Sequence, residues 1–297
     1  MNVIIAARNL FAQKSGRDVS AGEARSIGEA SRHAKRASGG SFSLSRVIFI
    51  VTMIFLLMPL VVLFISSFNE SPAMRWTRFS LRWYERLLTE RGLWQSFVNS
   101  IIVAVSAALT ATIFGTLGAI GVIWYKFRLR NYIQTISLLP TIMPEIIVGV
   151  SLAIFFSSVG IPLGLFTVYL AHTTFCLPFV FLMVKARLDE FDFSIIEAAQ
   201  DLGATERQTL MKVTIPVCLP GIIAGFLTAV TLSLQDFVIT FFVAGPGATT
   251  LPIFIFSAIT RRGAIAPMIS ALSVVMIIGT VILAYLFRNF LRYFVSK

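Results

Sequence analysis

Six long apolar segments restrict this chain to a membrane-spanning fold. A helix needs about 20 mainly apolar residues to cross a bilayer, and stretches of at least that length recur along most of the sequence. The six segments are approximately residues 46–68, 95–125, 132–159, 163–184, 217–243 and 268–290. Only 13% of all residues are charged, whereas a soluble domain carries about 25%. We therefore predict an all-α polytopic membrane protein with six transmembrane helices.

The residues ahead of the first apolar segment differ in composition from the rest. Residues 1–43 are rich in Ser, Ala, Gly and Arg and include the basic tract SRHAKRASGGS. A segment with so little apolar surface cannot offset the entropy that folding removes. We predict a disordered basic tail over residues 1–43 and a membrane domain over residues 44–297.

The positions of Lys and Arg predict that both termini are cytoplasmic, because cytoplasmic loops carry an excess of these residues. With the N-terminus inside, the inner segments hold 18 Lys and Arg and the outer loops hold 7. Five of those seven are arginines of the first outer loop, which opposes the trend, but the other loops agree with it. The polar stretch between the fourth and fifth segments is therefore predicted to face the cytoplasm.

That polar stretch, FDFSIIEAAQDLGATERQTLMKVTIP over residues 191–216, predicts a helical elbow. SIIEAAQDL consists of helix-forming residues, and Gly203 follows at the position where a helix often ends in glycine. Thr205 and Gln208 have the spacing of a capping box, which predicts the start of a second short helix. That helix is expected to end shortly before the helix-breaking Pro216. A solvated amphipathic loop would have a similar composition.

A DNA-reading helix-turn-helix is disfavoured for this stretch. Six acids outnumber four bases between residues 185 and 212, whereas binding to nucleic-acid phosphates requires an excess of bases.

The same stretch resembles the EAA loop of ATP-binding-cassette (ABC) importer permeases. The family pattern is E-A-A, three residues, Gly, nine residues and I-x-L-P, and this sequence has EAAQDLG followed after nine residues by VTIP. Val213 and Ile215 replace the Ile and Leu of the pattern and remain apolar. In that family the loop is a coupling helix that docks on the ATPase subunit. The resemblance implies coupling roles for Glu197, Ala198, Ala199, Asp201, Gly203, Glu206, Ile215 and Pro216.

Other stretches resemble the second permease subunit of spermidine/putrescine importers. They are RWYERLL from Arg82, HTTFCLPFV from His172 and LSLQDFVITFFVAGP from Leu232, and the likeness covers about residues 59–283. This resemblance implies the type I ABC importer permease fold in a bacterial inner membrane. The implied partners are a second, similar permease, two ATPase subunits, a periplasmic substrate-binding protein and the lipid bilayer, with no nucleic acid.

Two acids interrupt apolar segments that otherwise carry no charge. They are Glu145 in the third segment and Asp236 in the fifth. A charge at mid-membrane costs about 2.5–3.5 kcal/mol on insertion scales, so it usually faces a cavity or a partner. Pro140 and Pro144 precede Glu145, and each frees a backbone carbonyl that in lipid tends to line a cavity. Carboxylates beside free carbonyls favour an ammonium group, although Glu145 could instead be protonated or pair with an arginine of the partner permease.

Trp83 and Tyr84 form an aromatic pair in the first outer loop. The face of a tryptophan ring attracts cations, but an aromatic residue near the membrane surface is equally typical of an interfacial belt. The resemblance to spermidine/putrescine permeases favours recognition, and it adds Gln235 at a position where those relatives tend to have an acid. The predicted substrate-binding residues are Trp83, Tyr84, Glu145, Gln235 and Asp236.

These observations predict a translocation subunit rather than an enzyme. The sequence has no GxxxxGK[ST] phosphate loop, so ATP and Mg are expected to be used by a separate ATPase and no cofactor is expected on this chain. His33 and His172 are interpreted as isolated residues that indicate no metal site. The predicted function is ATP-driven, binding-protein-dependent import of polyamines. The alternatives are import of another amine-bearing solute, such as an opine or an aminophosphonate, and a proton-coupled secondary transporter.

Overall fold

Helices dominate the part of the chain that the computed structural model describes. That part comprises residues 44–71, 76–125, 128–190, 192–262 and 266–295. For residues 261–262, 266, 283 and 287–295 the description is limited to the backbone. The tail predicted over residues 1–43 lies outside the described residues.

Thirteen helices follow one another in the described ranges, and two of them are single turns. In chain order they are α1 (Leu44–Ser67), α2 (Arg82–Thr89), α3 (Arg91–Trp124), α4 (Arg130–Ser137), α5 (Leu139–Ile142), α6 (Glu145–Ser158), α7 (Leu165–Asp189), α8 (Ser194–Asp201), α9 (Glu206–Thr209), α10 (Ile215–Gln235), α11 (Val238–Val243), α12 (Leu251–Arg262) and α13 (Ala266–Val295). Within these ranges, one isolated β-bridge joins Asn69 to Phe79. The prediction of an all-α fold is confirmed for the residues described.

The number of helices able to cross a membrane agrees with the prediction. Five helices in the described part are long and apolar enough, and a sixth is obtained when one bent pair is counted as a single span. The chain divides into two units, residues 1–63 and residues 64–297. Most of α1 belongs to the first unit, and its most apolar window has a mean hydropathy of 3.1. All later helices belong to the second unit.

The third predicted span, residues 132–159, is broken near its middle. Helices α4 and α5 together cover Arg130–Ile142, and α6 leaves them at an angle of 104°. Met143 and Pro144 between them are extended, with ψ angles of 140° and 131°. A residue that precedes proline is driven out of the helical region, so Pro144 accounts for the extended Met143. Glu145 is consequently the first residue of a helix.

The fifth predicted span, residues 217–243, is also interrupted. Helix α10 ends at Gln235, Asp236 is extended with a ψ angle of 126°, and α11 begins at Val238. No proline or glycine marks this break in the sequence. Both intramembrane acids therefore lie where a span is broken rather than in the middle of a regular helix.

The second elbow helix does not end ahead of Pro216, so that prediction is wrong. One helix of 30 residues runs from Glu206 to Gln235. Within it, a π-helical turn spans Leu210–Thr214, and the Ile215 N–H donates to the carbonyl of Leu210 five residues back. A proline ring normally clashes with the carbonyl four residues earlier, and the wider π turn relieves that clash. The helix therefore continues through Pro216.

Three long helices, α3, α7 and α10, form the core of the second unit. Val180 on α7 packs between Gly115 on α3 and Gly225 on α10. A Cβ atom at Gly115 would lie 3.0 Å from Val180 Cβ, and one at Gly225 would lie 3.1 Å from Val180 Cγ1. Glycines allow helices to approach closely where lipid provides no hydrophobic drive. Cys176 and Cys218 are fully buried in the same core.

Candidate functional site

A cavity of about 310 Å³ lies beside the two helix breaks. Small-molecule sites in proteins have volumes of about 300–1,000 Å³, so the cavity is large enough for a small solute. Its lining residues come from α6, α7, α10, the break that follows α10 and the start of α11. They are Glu145, Phe175, Leu232, Gln235, Asp236, Phe237 and Val238. Three of the five predicted substrate-binding residues, Glu145, Gln235 and Asp236, are thus brought together.

Glu145 contributes a carboxylate that has no partner in the described part of the chain. It is exposed and lies in the first turn of α6. Among the described residues, no hydrogen bond or ion pair reaches its side chain. The N-terminal end of a helix favours negative charge, so the break at Pro144 places this carboxyl group where an acid is a favourable residue. Its carboxylate is available to a ligand in the cavity.

Asp236 is held much more tightly than Glu145. Only 7% of the residue is exposed, and its carboxylate accepts hydrogen bonds from the first turn of α11. Asp236 Oδ2 accepts from the Thr240 N–H at 2.9 Å and from the Thr240 hydroxyl at 2.7 Å, and Oδ1 accepts from the Ile239 N–H at 3.3 Å. Asp236 thereby satisfies N–H groups that the start of a helix leaves without partners. The cap explains why α11 begins here.

His172 completes the environment of Asp236, and the interpretation of His172 as an isolated residue is wrong. This residue of α7 is 1% exposed. Its Nε2 lies 3.1 Å from Asp236 Oδ2 and 2.8 Å from the Thr240 hydroxyl oxygen, and its Nδ1 lies 2.6 Å from the hydroxyl oxygen of Ser233. That His172 must have partners could be expected on physical grounds, because a polar ring buried in a membrane span needs polar groups with which to form hydrogen bonds. The sequence gives no indication of which residues those partners are.

Trp83 and Tyr84 do not line the cavity. Trp83 is 3% exposed, and its indole N–H donates to the backbone carbonyl of Asn69 at 2.8 Å. The Tyr84 hydroxyl lies 2.8 Å from the hydroxyl oxygen of Ser67. These bonds hold α2 against the chain that precedes it. A direct contact between the aromatic pair and substrate stays a prediction.

The elbow has the local structure that its sequence predicts. Helix α8 ends at Asp201, and Gly203 follows with a φ angle of +84°. The Gly203 N–H donates to the Gln200 carbonyl, and the Ala204 N–H donates to the Ala199 carbonyl. These two bonds form a Schellman motif. Thr205 and Gln208 form the predicted capping box.

Most of the predicted coupling residues are exposed on this elbow. Ala199 and Ile215 are half-buried, and the others are exposed, namely Glu197, Ala198, Asp201, Gly203, Glu206 and Pro216. Leu202, which follows α8, is 90% exposed, while Ile196 within α8 is buried. The elbow therefore presents an apolar residue and several acids outward. Its coupling role stays a prediction at this point.

The chain is similar in sequence to known transport proteins. Residues 111–297 match the family described as binding-protein-dependent transport system inner membrane component. The spermidine/putrescine transport system permease protein PotC of Haemophilus influenzae is 37% identical over 246 residues, which cover 82% of this chain and 95% of that protein. The putrescine transport system permease protein PotI of Escherichia coli K12 is 40% identical over 243 residues, which cover 79% of this chain and 85% of that protein.

The fold is also similar to that of a solved structure. A chain in the crystal structure of a bacterial ABC transporter involved in the import of the acidic polysaccharide alginate superposes with a TM-score of 0.68. The superposition covers 83% of this chain and 94% of that chain at 20% identity. At this identity the likeness concerns the fold alone.

Proposed function

The chain belongs to the family of binding-protein-dependent transport system inner membrane components, and we propose that its cargo is a polyamine such as spermidine or putrescine. Membership confirms the resemblance predicted from the elbow and from the spans around it. The predicted type I ABC importer permease fold is likewise confirmed. The chain is a multi-pass permease component, and it is not the subunit that hydrolyses ATP.

The cavity beside the two helix breaks carries the proposal. Of the described residues that line it, two are acids and none is Lys or Arg. A polyamine consists of ammonium groups joined by methylene chains. Glu145 and Asp236 would pair with ammonium groups, Gln235 would accept a hydrogen bond from a further N–H, and Phe175 and Phe237 would contact the methylene groups. The relatives named for spermidine and putrescine support the same class of substrate.

We further propose the assembly in which the chain works. It pairs with a second, similar permease, rests on two ATPase subunits that use ATP and Mg, and receives substrate from a periplasmic binding protein. The exposed elbow supports docking on an ATPase at the cytoplasmic face of the bacterial inner membrane, with both termini on that side. Trp83 and Tyr84 would then act near the outer face, where substrate arrives.

The continuous helix Glu206–Gln235 offers a direct route from ATPase to cavity. Thirty helical residues span about 45 Å at about 1.5 Å per residue. One end belongs to the elbow and the other end adjoins Asp236. Movement of the elbow on ATP binding would therefore reorient the cavity wall without an intervening flexible loop, and it would switch the bundle between inward-facing and outward-facing states.

Uptake of labelled substrate tests the proposal. The complex, reconstituted in proteoliposomes with its cognate binding protein, is supplied with ATP and labelled spermidine or putrescine, and vanadate serves as the inhibitor control. We expect vanadate-sensitive uptake that unlabelled polyamine suppresses. The absence of polyamine uptake, together with ATPase activity that the binding protein still stimulates, would contradict the cargo and retain the importer.

Competition separates the remaining alternatives. Unlabelled 2-aminoethylphosphonate or an opine should compete poorly, because their anionic groups meet two carboxylates in the cavity and no base among the described lining residues. Uptake that persists without ATP and collapses with the proton gradient would instead indicate a secondary transporter.

A further inference from the structure

We propose that His172 is a positioning residue for the substrate, which fixes the carboxylate of Asp236 so that Oδ1 faces the bound ammonium group. His172 does not itself line the cavity, so it acts through Asp236 alone. The inference relies on the proposed function for the identity of the cation. The contacts of His172 and Asp236 from which it is argued all lie within this chain and do not depend on the identity of the substrate.

The two oxygens of the Asp236 carboxylate are unequally occupied. Oδ2 has three neighbours within hydrogen-bond distance, which are the Thr240 N–H, the Thr240 hydroxyl and His172 Nε2. Oδ1 accepts one bond, from the Ile239 N–H, and that bond is long at 3.3 Å. Each oxygen of an ionised carboxylate has lone-pair sites for about two hydrogen bonds, so Oδ2 is fully occupied and Oδ1 is not. The remaining capacity for an ammonium group therefore lies mainly on Oδ1.

The hydrogen-bond pattern assigns the proton on the His172 ring. The Thr240 hydroxyl donates its hydrogen to Asp236 Oδ2, so toward Nε2 both of these oxygens act as acceptors. Nε2 must therefore carry a hydrogen. Nδ1 then accepts from the Ser233 hydroxyl when the ring is neutral. His172 thus donates toward Asp236 and is held in that orientation by Ser233.

The position of His172 relative to the helix break explains why it can fix Asp236. Ser233 lies two residues before the end of α10, and Thr240 lies within the first turn of α11. His172 on α7 contacts both residues. It therefore bridges the two helix ends at the break that holds Asp236. Without this bridge the carboxylate is held by the first turn of α11 alone, and its position relative to α7 and α10 is no longer fixed.

Two substitutions separate positioning from a purely structural role. In His172→Gln the amide nitrogen takes approximately the place of Nε2 and retains the bond toward Asp236. In His172→Asn the amide lies approximately at the place of Nδ1, where its oxygen can accept from the Ser233 hydroxyl, so the contact with Ser233 is retained and the contact with Asp236 is lost. The two variants have similar polarity, and both leave a smaller side chain at this site. They differ in the contact with Asp236, which only His172→Gln retains.

The first readout is the kinetics of ATP-driven polyamine uptake by the reconstituted complex. We expect His172→Asn to raise KM about tenfold, the effect of losing one hydrogen bond to a charged group, with Vmax within about twofold of the wild-type value. His172→Gln should retain the wild-type KM. Equal KM values for the two variants, or a loss confined to Vmax or protein yield, would overturn the proposal.

The second readout does not depend on the substrate. A hydrophobic carbodiimide reacts with protonated carboxyl groups in membranes, and mass spectrometry of the labelled complex reports each site. Asp236 should remain unlabelled in the wild type and in His172→Gln and become labelled in His172→Asn. Equal labelling of Asp236 in all three proteins, whether high or absent, would overturn the proposal. Lack of polyamine uptake by the wild type would refute the proposed function and leave this result intact.

Discussion

Gly149 on α6 lies directly against the backbone of Ile239 on α11. A Cβ atom at Gly149 would stand 3.2 Å from Ile239 Cα and 3.0 Å from Phe242 Cδ2. Helix α6 begins with Glu145, and the N-terminal end of α11 is capped by Asp236. The close contact between the two helices therefore fixes the distance between the two acids of the cavity.

We predict that Gly149→Val impairs polyamine uptake without preventing insertion. The branched side chain would force α6 away from α11 and separate Glu145 from Asp236. Uptake should fall at least about tenfold, since a misplacement near 1 Å can cost up to about a hundredfold. Gly279→Val is the matched control, because apart from its own helix backbone and chain neighbours no described residue has an atom within 4 Å of a Cβ at Gly279. Equal uptake by both variants at equal protein levels would contradict the role of this contact.

Glu145→Gln should weaken cation transport and leave the fold unchanged. The side chain is exposed in the cavity and has no partner among the described residues, so the substitution removes a charge and leaves no other group unsatisfied. KM for spermidine should rise about tenfold or more, since a hydrogen bond to a charged group contributes about 1.5–3 kcal/mol. The melting temperature should not change. An unchanged KM would remove Glu145 from the site.

Asp236→Asn should affect both transport and stability. An asparagine has one acceptor oxygen where Asp236 has two, so the N–H groups of Ile239 and Thr240 can no longer both be satisfied as they are now. We expect a loss of about 1–3 kcal/mol of stability, together with a raised KM. The measurement is the melting temperature of each variant in detergent. It should fall in Asp236→Asn and stay at the wild-type value in Glu145→Gln. Identical melting temperatures would show that Asp236 does not cap α11.

Gly203→Ala should weaken the coupling to the ATPase. The residue has a φ angle of +84°, and beyond its chain neighbours no described residue has an atom within 4 Å of the position that a Cβ would occupy, so the effect arises from the backbone alone. A left-handed conformation costs a residue with a Cβ about 1 kcal/mol, which opens the turn between α8 and α9. Gly203→Asn is the control, since asparagine tolerates this conformation better.

The measurement is co-purification of the ATPase subunit and binding-protein-stimulated ATP hydrolysis. Gly203→Ala should reduce both, and Gly203→Asn should lie between it and the wild type. Full coupling in Gly203→Ala would argue against the elbow as the docking element.

Deletion of Lys212 should uncouple the elbow from the cavity. Lys212 is exposed within the π-helical turn. A π turn holds one residue more than an α turn, so the deletion should convert it to an α turn, restore the clash of the Pro216 ring with the carbonyl four residues earlier and kink the helix. The complex should still bind its ATPase but should lose ATP-driven uptake. Lys212→Ala, which keeps the register, should behave as the wild type. Normal uptake after the deletion would show that the helix Glu206–Gln235 does not transmit the motion.

Local chemistry determined which features could be predicted from the sequence. The turn at Gly203 and the capping box at Thr205 depend on residues within a few positions of one another, and both were predictable. The break at Pro144 follows from a residue type that disrupts helices. By contrast, the break at Asp236 was not predicted. Its cap joins residues within four positions, but an acid in an apolar segment does not by itself distinguish a helix start from an isolated charge, and the further partner His172 lies on another helix. The prediction that the helix ends before Pro216 was wrong because a π turn relieves the clash of the proline ring, and no sequence pattern indicates that turn.

The candidate site likewise combines features that depend on local sequence with features that depend on helix packing. Glu145 and Asp236 were identifiable as charges without neighbours in apolar segments. Their position on one cavity depends on two breaks and on the contact at Gly149, which are properties of the packed helices. The pairing of His172 with Asp236 joins residues 64 positions apart, and no periodicity in the sequence connects them.

The burial of both cysteines has a practical consequence for spectroscopy. Cys176 and Cys218 have no exposed surface, and the Cys176 thiol donates to the backbone carbonyl of Ala229. Water-soluble maleimides should therefore leave the wild-type chain unmodified. A single cysteine introduced at Leu202 would accept a fluorophore or spin label at one defined point, so distance measurements across the transport cycle can begin from the natural sequence.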